Sequence, residues 1–381
     1  MRAMRHWSFI LWPLVLPAFG QIVFTPPDQV SRMAPHMRQL ADSSVEAFFQ
    51  QRDPGNLRSL RQAQSLYSQV LDHDRKAGSA QELVDTLGAA AEVSLLLGAT
   101  EAAERLFAEL LGLDACAHER RLKSQASCAA FAGSKLAILR RTAGDTSGAA
   151  SAFASATARG ASWTTPWQLP PEHYKGLVAR AVWPVQEVPL AVRLADKYES
   201  IVKDFEQLAA EADRKKGAVR WEPTQDFFLL EAGAWREIPL KAANWNAAAC
   251  NLAPNVCSLL RGQPEVDGRV ERDGQDLLAP GRVGFLRMGP GSKLRPHTAN
   301  WNGRLNIHLP VRVPTRCGAG GCGALRVADE PPVEWRLGEP IVFDDSFVHS
   351  VALPADAVGE RVVLHVSIWH PDLVIEGRPK S

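Results

Sequence analysis

The chain has 381 residues, 46% hydrophobic and 22% charged, with 43 Lys+Arg set against 42 Asp+Glu. These are ordinary values for a globular protein of two or three domains and exclude a disordered or fibrous chain. A net charge of +1 with no polybasic run also excludes a protein that grips nucleic acid by displacing counterions.

Arg2, Arg5 and His6 precede an apolar run from Trp7 to Phe19, interrupted by Pro13 and Pro17, and Ala18-Phe19-Gly20 offers a small-residue exit. Residues 1–20 therefore read as a secretory signal peptide. The alternative is an uncleaved anchor, the only route by which this reading brings the chain to a membrane. The expected setting is the lumen of the secretory pathway, such as the endoplasmic reticulum, or the periplasm or exterior. Six cysteines fall into three close pairs: Cys116/Cys128, Cys250/Cys257 and Cys317/Cys322. An even count with local partners suits short-loop disulfides in an oxidising compartment. Four thiolates also suit zinc, but no pair has the two-residue gap of a zinc knuckle and the pairs are dispersed.

Residues 28–216 are rich in Ala, Leu, Glu, Gln and Arg at helical spacing and predict an all-helical domain. Ala63…Tyr67, Ala103…Phe107 and Ala149…Phe153 each place a small residue four before an aromatic. That pattern lets paired helices approach closely, as in tetratricopeptide-like hairpins, although the repeats are irregularly spaced. This half carries no catalytic constellation and is expected to serve as scaffold or partner surface. Trp163 to Pro171, rich in Pro and Trp, reads as a packed loop. Charges from Asp213 to Lys216 mark the expected boundary.

Residues 219–375 change to short β-rich runs between Gly and Pro: Arg282 to Met288, Leu305 to Val313, Pro340 to Phe343 and Arg361 to Trp369. The last alternates, with Val362, Leu364, Val366 and Ile368 on one face and Val363, His365, Ser367 and Trp369 on the other. Period-two patterning predicts antiparallel strands in a sandwich or double-stranded jelly roll, giving an α+β chain. Gly318 to Gly323 lacks the Lys-Ser/Thr end of a phosphate loop and reads as a hairpin tip closed by Cys317 and Cys322.

Five of the ten histidines crowd between His297 and His370, a hint of a metal site. Their context resembles the aspartyl/asparaginyl β-hydroxylase family of iron(II)- and 2-oxoglutarate-dependent oxygenases. The matching blocks are Pro296-His297-Thr298, Asn302-x-Arg304-Leu305-x-x-His308-Leu309, Phe343-Asp344-Asp345-Ser346-Phe347-x-His349 and Trp369-His370-Pro371-Asp372-Leu373. Gly233-Ala234-Trp235 and the Cys250 to Cys257 spacing also fit, so the likeness runs in order from about Trp221 to Leu373.

The resemblance implies that His297 and His349 ligate iron(II). A carboxylate two residues after the first His usually completes such a site, and here Ala299 stands there. The family also lacks that acid, with water filling the place and Asp345 a candidate to hold it. Arg361 matches the arginine for the distal carboxylate of 2-oxoglutarate, a role suited to a planar guanidinium fork. His308 and Trp235 match further residues of that pocket. Two positions depart from the family: Asn306 stands for an arginine and Leu286 for a serine, with Arg304 or Arg287 as compensating cations.

The activity implied is a dioxygenase using iron(II), 2-oxoglutarate and O2 to hydroxylate the β-carbon of Asp or Asn in a peptide or protein, such as a secreted disulfide-rich domain. The alternatives are the same chemistry on a lipid acyl chain, or a non-catalytic helical adaptor carrying a degenerate oxygenase domain.

Overall fold

The computed structural model describes residues 27–53, 55–117, 122, 127–214, 217–272, 275–277, 280–317 and 321–375. The expected signal peptide lies outside them. Six helices come first: α1 Pro27–Gln51, α2 Arg58–Ala77, α3 Ala80–Leu96, α4 Thr100–Gly112, α5 Cys128–Thr142 and α6 Thr146–Ala158. Each packs against its sequence neighbours. The small-to-aromatic pattern lies in these contacts, with Ala63, Tyr67, Ala103, Phe107 and Ala149 all buried. Local chemistry fixes the ends: Ser79 and Glu82 form a reciprocal capping box on α3, and Asp145 caps α6. Among the described residues no helix is long and apolar enough to cross a membrane.

The second half is built on strands, here β1 Val182–Trp183, β2 Glu222–Pro223, β3 Leu230–Ala232, β4 Trp235–Lys241, β5 Val270–Arg272, β6 Gln275–Leu277 and β7 Val283–Met288. They continue as β8 Lys293–His297, β9 Arg304–Arg312, β10 Ala324–Val327, β11 Val333–Glu334, β12 Ile341–Phe343, β13 His349–Ala352 and β14 Arg361–Trp369. A seven-stranded sheet runs β1-β12-β9-β14-β7-β4-β2 and a five-stranded sheet runs β11-β10-β13-β8-β3, antiparallel throughout. β5 and β6 pair separately.

Strand β14 shows why the sheets face each other. Val362, Leu364, Val366 and Ile368 join a core with Ile201, Phe205 and Leu208 of the covering helix α8, Tyr198–Ala212. Val363, on the opposite face, joins Leu286 and Met288 with Leu294, Leu325 and Val351 of the smaller sheet. Both faces are buried, so hydrophobicity alone does not tell them apart.

β1 already belongs to the large sheet, and α7 (Pro189–Asp196) and α8 pack on that sheet, so residues 182–212 travel with the strands ahead of the expected junction at 216–219. Helical periodicity reports the element type and not the body it packs on. Cys317 and Cys322 do not close a hairpin: β9 and β10 lie in different sheets, and the loop between them crosses over. Residues 318–320 of that loop lie outside the described residues.

All three cysteine pairs are disulfides, with Cα separations of 5.3, 5.6 and 5.1 Å, and no described cysteine is free. They fit an oxidising, secretory compartment.

Candidate metal centre and its pocket

His297 and His349 are Cα partners across the antiparallel pair β8–β13, and their ring centroids lie 4.1 Å apart. Each ring is pinned from behind in the same way. His297 Nδ1–H donates to the Arg295 carbonyl at 2.7 Å, and His349 Nδ1–H to the Phe347 carbonyl at 2.9 Å. That tautomer leaves Nε2 on both rings as a bare lone pair, the state a metal requires. Burial pushes both pKa values down, well down for His297, whose neighbour His349 adds to the effect. Both rings are thus neutral donors near neutral pH. Among the described residues no group of three or more His, Cys, Asp or Glu is placed to hold a metal. The donor set is these two imidazoles, and Ala299 offers no third. The residues fit a metal that takes its remaining ligands from small molecules.

Both histidines line a cavity of about 1030 Å³ that reaches from the sandwich to the helices. Its far wall is the inner face of the large sheet, where His308 and His365 form a second cross-strand pair. Phe343 stands between the pairs, 5.0 Å from the His308 ring and 5.6 Å from that of His349. Tyr67, Leu95, Leu96, Ile138 and Leu139 bring the helical half to the mouth. Phe48 and Phe49 pack on Phe227 and Phe228, and Arg295 reaches the Leu95 carbonyl at 3.3 Å.

Arg361 opens β14 and is only 1% exposed, with Nε and Nη1 lacking any hydrogen-bond partner. Trp335 stacks on its guanidinium at 4.8 Å, and burial pushes its pKa down to about 9. Glu360 does not neutralise it, being paired with Arg312 at 2.7 Å and Arg287 at 3.7 Å. A buried cation without a counter-ion is costly unless an anion comes to it. Arg361 therefore suits an anion inside the histidine-lined cavity. His308 Nδ1 and Trp235 Nε1, also orphaned, line the same space. Gly233 sets the Trp235 position: its φ is 79°, and a Cβ there meets Ser292 Cα at 2.5 Å.

The compensating cations are not free. Arg304 donates to Asp345 through Nε at 3.0 Å and Nη2 at 2.6 Å, and to the Pro280 carbonyl through Nη1 at 3.3 Å. Burial opposes its charge, yet Asp345 outweighs burial and the Arg304 pKa is raised. Arg287 faces away from the cavity, stacked over Trp221 at 4.1 Å. Asp345 also accepts from Asn306 Nδ2 at 2.8 Å, so its carboxylate anchors a polar wall. Leu286 lines the cavity as an apolar patch. His370, the fifth histidine of the cluster, lies elsewhere and meets the Val178 carbonyl.

Sequence reasoning missed three participants. His365 and Ser367 lie on the cavity side of β14, and the signal was two polar residues inside a nine-residue strand otherwise apolar but for its first position. Gln168, in the Pro- and Trp-rich loop, is buried and donates to Asp344 and Ser346 at 3.0 Å each, tying that loop to the segment carrying His349.

Facing sheets around paired imidazoles and a buried arginine define a pocket protein with a candidate two-histidine metal centre. Residues 195–371 match the family model for aspartyl/asparaginyl beta-hydroxylase, so this segment is similar to that family. The human aspartyl/asparaginyl beta-hydroxylase is 32% identical over 215 residues, 56% of this chain and 26% of that one. The mouse aspartate beta-hydroxylase domain-containing protein 1 is 28% identical over 184 residues, 47% of this chain and 45% of that one. This chain thus spans about a quarter of the human relative. A solved Pseudomonas putida prolyl-4-hydroxylase matches 50% of this chain and 90% of its own at 15% identity and a TM-score of 0.24, too slight a likeness to bear on fold or function.

Proposed function

We propose that this chain is an iron(II)- and 2-oxoglutarate-dependent oxygenase that hydroxylates the β-carbon of Asp or Asn in a peptide or protein. The carrying observation is one cavity holding two neutral imidazoles with free Nε2 lone pairs and a buried arginine without a counter-ion. In this reading the sandwich is a double-stranded β-helix and the helical hairpins are tetratricopeptide-like. The bound iron, with 2-oxoglutarate and O2, supplies the oxidising chemistry. The chain's own work is to bind and orient. His297 and His349 hold the ion, their rings locked by backbone carbonyls. Arg361 fixes a carboxylate at the depth of the pocket, with His308 and Trp235 beside it. Asp345, held by Arg304 and Asn306, keeps a negative charge near the metal side. The helical wall at the mouth receives the substrate chain and, with Leu286 and Phe343, excludes water from the reacting centre.

Succinate release from 2-oxoglutarate, measured with iron(II), ascorbate and a peptide panel, tests the reading. Turnover in the wild type, lost in His297→Ala and His349→Ala, supports it. Metal binding without turnover on any peptide or acyl-lipid substrate favours the adaptor instead.

A further inference from the structure

A chain of buried hydrogen bonds crosses the cavity wall: Asp345 to Asn306 at 2.8 Å, Asn306 to Ser367 at 2.8 Å, Ser367 to His365 at 3.1 Å and His365 to His308 at 3.1 Å. Its direction is set at one end. The Asp345 carboxylate, paired with Arg304, only accepts, so Asn306 must turn its amide Nδ2 toward it and its Oδ1 toward Ser367. Ser367 then has to donate its single hydroxyl hydrogen to Asn306 Oδ1 and accept from His365 Nε2–H. With Nε2 protonated, neutral His365 offers Nδ1 as an acceptor, and His308 must donate to it from Nε2–H. What remains is His308 Nδ1, a bare lone pair, buried without a partner in the wall that also bears Arg361.

A bare nitrogen repels a carboxylate. An anion seated on Arg361 therefore meets a favourable guanidinium and an unfavourable lone pair, unless a proton arrives too. We propose that Asn306, Ser367 and His365 are positioning residues that fix His308 with Nδ1 unprotonated, so that a carboxylate ligand at Arg361 binds together with one proton. The proton comes from solvent and ends on His308 Nδ1, where it bridges to the ligand. The charged and titratable groups acting on His308 are Arg361 and His365 from β14, His349 from β13 and Arg282 ahead of β7, and all but the neutral histidines favour the unprotonated ring while the pocket is ligand-free. A dicarboxylate reverses that balance by neutralising Arg361. The inference rests on the co-substrate reading of Arg361 and adds a proton to it. It also gives Asn306 a role that no cation is needed to fill.

The test is titration calorimetry of 2-oxoglutarate into the full chain loaded with manganese(II) under nitrogen. Buffers of different ionisation enthalpy report the protons exchanged. The expected result is uptake of about one proton per ligand at pH 7, with affinity falling about ten-fold per pH unit above it. Ser367→Ala releases the His365 ring, lets His308 carry its hydrogen on Nδ1, and should bring uptake near zero and flatten that slope. Ser367→Thr keeps the hydroxyl and should retain the wild-type slope. A merely structural serine would weaken binding equally at every pH. Wild-type binding without proton uptake, or an unchanged slope in Ser367→Ala, overturns the inference and leaves the co-substrate reading standing. No binding of 2-oxoglutarate at all removes both.

Discussion

Replacing Arg361 by Met should make the ligand-free protein more stable while abolishing its binding of 2-oxoglutarate. Burial pushes the Arg361 pKa down to about 9, roughly three to four pH units below an ordinary arginine, at about 1.4 kcal/mol per unit. The unpaired charge therefore costs of order 4–5 kcal/mol in the folded state. Methionine keeps most of the buried stem and forgoes the stack on Trp335, which contributes about 1–2 kcal/mol. The net gain is about 2–4 kcal/mol, or roughly 5–10 °C in melting temperature for a domain of this size. The pH dependence has a definite sign. Above pH 9 the folded protein sheds the Arg361 proton while the unfolded chain keeps it, so wild-type stability rises with pH and its deficit against Arg361→Met narrows. Thermal melts of both proteins without ligand, at pH 8 and 10, and calorimetry with 2-oxoglutarate provide the readouts. A variant that melts no higher than the wild type, or that still binds the keto acid as tightly, refutes the reasoning.

Three further outcomes are expected. Asp344 is fully buried and pushed up to about 8, so the folded state holds a proton there that the unfolded chain releases above about pH 4. Stability should therefore fall between about pH 4 and 8, and Asp344→Asn should lose that decline in urea unfolding. Removing the Cys250–Cys257 disulfide by a double serine substitution should cost about 2–3 kcal/mol in the same assay, as for a short closed loop. Arg304→Met strips Asp345 of its Nε and Nη2 partners and leaves a nearly buried carboxylate, so the melting temperature should drop by roughly 5 °C or more, whereas Arg287→Met on the outer surface should change it little.

The parts of the molecule legible in the sequence are those where one local rule decides. The cysteine pairs are close in the chain, so a short turn between them brings each pair together. Strand β14 shows its period over nine residues and forms from Arg361 to Trp369 as expected. Short strands such as β8 and β13 carry too few residues for a period, yet they bear His297 and His349, and only the motif blocks flagged them. Arg304 illustrates what no local rule reveals: whether a cation is free depends on Asp345, forty-one residues away. His365 and Ser367 were visible as polar residues on one face, but a strand buried on both sides gives no sign of which face borders a cavity. Residues 189–212 show a related effect, since α7 and α8 look like the preceding helices and pack on the sheet.

In the proposed function one metal ion sits between the His297 and His349 rings with no other side chain holding it. Diffraction at the manganese absorption edge, from crystals soaked without oxygen in manganese(II) and 2-oxoglutarate, addresses it directly. A single strong anomalous peak per chain is expected, roughly 2.0–2.2 Å from Nε2 of His297 and of His349. A peak bonded to other side chains, or none between these rings in crystals that bind the ion elsewhere, would contradict it.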